Sequence, residues 1–141
     1  MKHHCTLFLC VLVTIAGCKK KDPDVPALSG RWDWVQSTTT HYNSSGSILG
    51  TDAITSTSSG AMYLAISADS INQHQAQTGI FHQGYSRSGN VLSITPKDSR
   101  RYPPYSWTIM ELTEHRLLVR FENYYSGSGK LADQADSEYS R

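Results

Sequence analysis

Four histidines lie beyond residue 18: His41, His74, His82 and His115. A metal centre needs three or four such ligands converging from the right faces. Their spacing gives neither a His-x-His pair nor a His-Glu-x-x-His helix, although His74 and His82 could face one another from neighbouring strands. They read as scattered solvent histidines, and no metal site is expected. Serines are plentiful, but none sits in a Gly-x-Ser-x-Gly elbow. Carboxylates are dispersed, so no acid pair of the kind that cleaves glycosides is visible. No phosphate-cradling loop is present. No catalytic residue and no cofactor are therefore expected, and the chain does not read as an enzyme.

The densest mix of cations and aromatics is Lys97-Asp98-Ser99-Arg100-Arg101-Tyr102-Pro103-Pro104-Tyr105. Its chemistry would suit an anionic head group or a sugar, with Arg as the charge and Tyr as the platform. A solvated loop stiffened by proline accounts for the same residues.

The elements that would position these groups are strands. Apolar and aromatic residues alternate in short runs separated by turn residues. Trp32, Trp34 and Gln36 share one face and Arg31, Asp33, Val35 and Ser37 the other. Met62, Leu64 and Ile66 alternate with Tyr63, Ala65 and Ser67. Further strands are predicted over Ile71–Gln77, Gly79–Tyr85 and Val91–Thr95, with Ala68-Asp69-Ser70 and Ser88-Gly89-Asn90 as turns. The longest runs, Tyr105–Leu112 and Arg116–Tyr124, form a hairpin across Thr113-Glu114-His115. No stretch carries a helical stripe. The fold class is all-β, an antiparallel meander that packs as a sandwich or closes into a small barrel, which removes its edges.

Two segments resist this reading. Residues 41–60 are rich in Ser, Thr and Gly, and hold one or two weak strands around Ile48-Leu49 and Ala53-Ile54, or a flap over one barrel end. Residues 126–141 form a polar tail, or a final edge segment through Leu131. The predicted organisation is therefore 1–17 as a leader, 18–27 as a tether, 28–125 as the barrel and 126–141 as the tail.

The start of the chain has the signature of an export signal. Lys2, His3 and His4 precede an apolar stretch from Thr6 to Ile15, which is shorter than the about 20 residues of a spanning helix. The run Leu12-Val13-Thr14-Ile15-Ala16-Gly17-Cys18 resembles the lipobox of bacterial lipoproteins. That resemblance implies cleavage before Cys18, acylation of Cys18 and attachment to an envelope membrane. Lys19 directly after it gives no evident inner-membrane retention signal, so the outer membrane is expected. Cys5 and Cys10 would leave with the leader, so the remaining domain would have no disulfide and no cysteine nucleophile. Residues 19–27, with Lys19, Lys20, Lys21, Pro23 and Pro26, could extend about 30 Å at most. Beyond the leader, twelve Lys and Arg stand against twelve Asp and Glu. That balance does not point to nucleic acid, which needs a positive stripe.

Leu28-Ser29-Gly30-Arg31-Trp32 opens the first strand with Gly-x-Trp, a pattern that resembles the calycin group and the small lipocalin-like domains of bacterial lipoproteins. The resemblance covers about residues 28–124. The Cys-Lys-Lys-Lys-Asp start is similar to envelope lipoproteins of the Bacteroidetes. The lipocalin resemblance implies that Gly30 and Trp32 close one barrel end, with a late-strand cation, Arg120 or Arg116, packed on the indole. The chain is shorter than full lipocalins and lacks their disulfide and an evident C-terminal helix. Trp34, Tyr63, Phe81, Trp107 and Phe121 are the aromatics expected to point inward or rim the barrel. They either fill a small core or line a ligand pocket. Two functions follow as expectations: non-catalytic binding of a small, largely apolar ligand, or a filled barrel that acts through contacts with an envelope protein.

Overall fold

The computed structural model describes residues 27–141 apart from positions 59 and 99. The signal, Cys18 and nearly all of the tether lie outside the described residues. Nine strands form one antiparallel sheet: β1 (Gly30–Tyr42), β2 (Ile48–Thr55), β3 (Met62–Ile66), β4 (Ser70–Gln75), β5 (Gly79–Ser88), β6 (Val91–Pro96), β7 (Tyr105–Leu112), β8 (Arg116–Tyr124) and β9 (Leu131–Ser140). Strands β3 to β9 follow one another as neighbours, and β9 returns to pair with β1. Eight strands thus close into a barrel.

β1 serves three partners. Its first residues, Gly30–Asp33, pair with β3, and its second half pairs with β2 along Gln36–Tyr42. Its opposite edge runs against β9 from Asp33 to His41. β2 therefore lies outside the closed ring. Every residue of it is exposed, including Ile48, Leu49 and Ile54.

Residues 126–141, expected to be a polar tail or a final edge segment through Leu131, hold the strand that closes the barrel, paired on both edges. β9 is polar because both its edges are paired while its outward carboxylates are matched by cations. Asp136 takes a bidentate Arg120, at 2.7 and 2.9 Å. Glu138 accepts from Arg116 Nε at 2.9 Å and from Gln36 Nε2 at 2.9 Å, while Arg116 also pairs with Glu111. A second difference lies in β1. A bulge at Val35 separates the pairs Trp34–Tyr139 and Gln36–Glu138. The extra residue reverses the alternation, so Ser37 faces inward and Gln36 outward.

The core sits in the half of the barrel where β1 begins. Trp32, Leu64, Ile71, Leu92, Ile94, Leu117 and Val119 are essentially inaccessible, and Ile66, Ile109, Trp107 and Tyr139 join them. β6 and β7 show the simple reason: each alternates buried and exposed along its length. The end is sealed by Trp32, whose Nε1 donates to the carbonyl of Leu28 at 2.7 Å. Arg141 lies over the indole, with its guanidinium carbon 4.1 Å from the ring centroid. Its Nε donates to Glu114 O at 2.6 Å and its Nη1 to Ser29 O at 3.1 Å. Neither Arg120 nor Arg116 is the cation on Trp32, because both point outward from β8. Gly30 has φ +128°, and a Cβ there would stand 3.3 Å from Arg141 Nη1. The Gly of Gly-x-Trp is required both by the backbone and by this seal.

Three substitutions separate these roles in denaturant unfolding. Trp32→Ala is expected to cost about 3–5 kcal/mol as a large core truncation. Arg141→Ala should cost about 1 kcal/mol as a lost cation–π contact. Arg120→Ala should cost at most about 1 kcal/mol, as surface pairs do. A loss at Arg120 matching that at Trp32 would contradict the assignment.

Candidate binding site at the open end

The opposite end of the barrel is open because its inward residues are small or polar. On β1 and β9 the inward pair is Ser37 and Ser137, whose Oγ atoms are 2.7 Å apart. Alternation puts Thr39 and Ala135, paired with one another, on the same face. On β4 and β5, Gln73 is paired with Phe81 and Ile71 with Gln83. Such side chains do not fill an eight-stranded interior, whereas Trp32, Leu64 and Leu117 at the other end do.

A mouth cavity of about 590 Å³ lies at this end. It is bordered by Gln73, Gln75, Ile80, Phe81, His82 and Gln83 of β4 and β5, with Pro96 and Tyr105. Lys97, Asp98 and Tyr102 of the β6–β7 loop form its rim. A smaller chamber of about 140 Å³ lies beside it, lined by Trp34, Ser37, Leu64, Ser137 and Tyr139. Gln73 and Gln75 border both spaces.

The polar groups of this end are held in place. Tyr105 Oη donates to Gln83 Oε1 at 2.6 Å. Burial pushes the Tyr105 hydroxyl above its ordinary value, only partly offset by this bond. Tyr139 is shifted upward further, by burial first and then by the neighbouring Tyr105. Both phenols therefore stay neutral at physiological pH. Trp34 Nε1 donates to Ser37 Oγ at 2.9 Å. Tyr105 also packs edge-on to Phe121, with centroids 5.8 Å apart.

The expected pocket aromatics divide. Phe81 lines the mouth and Trp34 lines the inner chamber. Trp107 is part of the core, with Leu92 opposite it on β6 and Phe121 on β8, and lines neither space. Tyr63 borders the inner chamber, but its ring is turned to the outer side. Its ring stacks on His74 at 4.1 Å and lies under the Arg31 guanidinium at 3.9 Å, on the outer surface with Asp33. Strand alternation from the buried Leu64 requires this. Sequence reasoning missed Gln73, Gln75 and Gln83, whereas Lys97, Asp98, Tyr102 and Tyr105 belong to the cationic and aromatic segment singled out above. The available signal was the alternation of Ile71, Gln73 and Gln75 on one strand face.

His82 and His74 do not meet as a pair. His82 Nδ1 contacts Asn72 Oδ1 at 2.8 Å, on the outer face. His41 has the most built surroundings. Its Nδ1 is 2.7 Å from Asp133 and its Nε2 3.1 Å from Asp52, so it ties β2 to β9 across β1. Among the described residues no three His, Cys, Asp or Glu side chains are placed to hold a metal ion.

No protein-family model matches this chain, and no curated protein does. Among solved structures it is similar to a lipocalin-like protein from Bacteroides uniformis, at 16% identity and a TM-score of 0.46. The match spans 81% of this chain and 97% of that one. What the strand pairing itself defines is an antiparallel, eight-stranded closed barrel with one sealed and one open end.

His41 makes a pH prediction. Both ring nitrogens face carboxylates, and only the imidazolium can donate from both. Asp133 first, then Asp52, raises its pKa above the ordinary 6.5. A folded-state pKa raised above the unfolded value stabilises the protonated form. This contribution is complete below about pH 6.5 and is lost as pH rises through the raised pKa. An NMR titration should find His41 above its ordinary value, with Asp133→Asn lowering it more than Asp52→Asn. Unchanged titration in both variants would show that the bridge does not form.

Proposed function

We propose that this protein is a lipid-anchored protein of the bacterial envelope, on the outer membrane, whose barrel binds a small, largely apolar ligand at its mouth without catalysis. The observation that carries the reading is the mouth cavity. Its about 590 Å³ exceeds the about 300 Å³ at which small-molecule sites begin. Its lining sets Phe81, Pro96, Tyr102 and Tyr105 beside the amides of Gln73, Gln75 and Gln83, apolar surface with polar groups that can orient a ligand. The anchor rests on the sequence around Cys18. The chain enters the barrel at Leu28, beside the sealed end, so a tether there leaves the mouth free. No nucleic-acid partner and no cofactor belong to this reading.

A contact role with another envelope protein has its own observation in β2, with its exposed Ile48, Leu49 and Ile54. It becomes the better reading if the mouth takes no ligand.

The energetics set the expected affinity. A ligand burying about 200 Å² of apolar surface gains about 5 kcal/mol, and association costs consume much of that. Millimolar to micromolar binding follows for a small probe. Titration with the uncharged fluorophore N-phenyl-1-naphthylamine should therefore give saturable enhancement. Phe81 is 37% exposed at the mouth. Phe81→Ala should weaken the probe about tenfold, equivalent to about 1.4 kcal/mol, with little loss of stability. Absence of saturable binding would refute the carrier reading, as would an affinity indifferent to Phe81→Ala.

The anchor has an independent test. Intact mass of the protein extracted from its membrane should begin at Cys18 and carry thioether and acyl groups. Cys18→Ala should abolish processing and leave the barrel folded. A wild-type protein without acyl mass would contradict the anchor.

A further inference from the structure

Gln83 is the one polar residue among the described residues that is fully classed with the core, at 9% exposure. It sits at the base of the mouth cavity. Its Oε1 is occupied by the Tyr105 hydroxyl, which donates to it at 2.6 Å. That bond fixes the amide plane and decides which end of it is left over. Nε2 has no hydrogen-bond partner among the described residues. Nor is any fully enclosed side-chain nitrogen or oxygen among them left without one. The free Nε2 therefore looks onto open space, and the open space it borders is the cavity.

Water meets this N–H in the open cavity; a ligand that displaces the water without supplying an acceptor leaves the donor unpaired, whereas one that supplies an acceptor does not. The acceptor it needs is neutral. At the level of Gln83 the inward wall holds no charged group: His82, which also borders the cavity, has its ring engaged with Asn72 on the outer face, and Tyr105 is un-ionised at neutral pH. Lys97 and Asp98, of opposite sign, stand exposed at the rim. A carboxylate driven down to Gln83 would lose its water without gaining a charge partner, which is far costlier than burying a carbonyl. Phe81 and Pro96 offer apolar surface beside that base.

We infer that the mouth selects neutral, largely apolar molecules that end in a carbonyl oxygen. The carbonyl accepts from Gln83 Nε2 and the apolar body lies along Phe81 and Pro96 toward the rim. The inference rests on the reading of the mouth as a binding site and adds the chemical class of its ligand. Tyr105 is a positioning residue here. It acts by orienting Gln83 rather than by touching the ligand head. Sites built to hydrogen-bond one group reject the analogue that lacks it, because the site's own donor is then left unpaired.

Three probes of similar size isolate this contact: 2-acetylnaphthalene, 2-ethylnaphthalene, which lacks its oxygen, and 2-naphthoate. Each would compete against N-phenyl-1-naphthylamine on the full chain. The ketone should displace the fluorophore at about one-tenth the concentration that the ethyl compound requires, the equivalent of one buried hydrogen bond. The carboxylate should do no better than the ethyl compound. Gln83→Leu should bring ketone and ethyl probes within threefold of one another while the ethyl probe still competes, and that retained competition also reports a folded mouth. Gln83→Glu keeps an acceptor for Tyr105 but removes the N–H donors, and should show the same loss of preference. Equal displacement by ketone and ethyl probes in the wild type would overturn the ligand class and leave mouth binding standing. So would tightest binding by the carboxylate, or a preference that survives both variants. Failure of the fluorophore itself to bind would overturn mouth binding and the ligand class together.

Discussion

The structure depends on one pairing, that of β1 with β9. Without it the sheet is an open meander with two free edges and one apolar face in water. With it, eight strands enclose an interior whose width is fixed by strand number, and each inward side chain either fills that width or leaves a void. β1 can reach β9 over its length because the bulge at Val35 bends it and reverses its faces partway along. Before the bulge its inward residues are Trp32 and Trp34, which are large. After it they are Ser37 and Thr39, which are small. One strand thus carries both the sealed end and the open end of the barrel.

The regular parts of this fold were legible in the sequence. Tyr105–Leu112 and Arg116–Tyr124 are strands with the predicted boundaries, because alternation and local turns suffice to define a hairpin. Trp32 is fully buried at a barrel end, as its Gly-x-Trp setting implied. What was not legible depends on partners distant in sequence. β9 reads as a polar tail because Asp136 and Glu138 look unburiable until Arg120 and Arg116 stand beside them. The cation on Trp32 is Arg141, far along the chain, and no strand periodicity points to it. The bulge at Val35 cannot be seen in a pattern of alternating residues, since it breaks that pattern by a single position.

The site was legible only in outline. Phe81 and Trp34 were identified as wall residues, while Tyr63 and Trp107 were misplaced for different reasons. Tyr63 lies one position from the fully buried Leu64, so it must face out, where Arg31 and His74 sandwich it. Trp107 points in, but at a level where Leu92 and Phe121 already fill the barrel. The glutamines escaped notice because an amide at an inward position looks like an error until a void is found next to it. Gln73 borders the same inner chamber as Ser37 and Ser137, and Gln83 borders the mouth cavity. Space beside them makes inward amides tolerable, because it gives their N–H groups somewhere to bond.

The central claim is that this mouth, and no other surface, receives a ligand. Backbone and side-chain amide NMR shifts during addition of 2-acetylnaphthalene test it most directly, because they report every position at once. The account predicts shifts concentrated at Gln73, Phe81, Gln83 and Tyr105, including the Gln83 side-chain amide, with the Trp32 indole at the sealed end unmoved. Shifts gathered along β2, or at Trp32, with the mouth silent would contradict it.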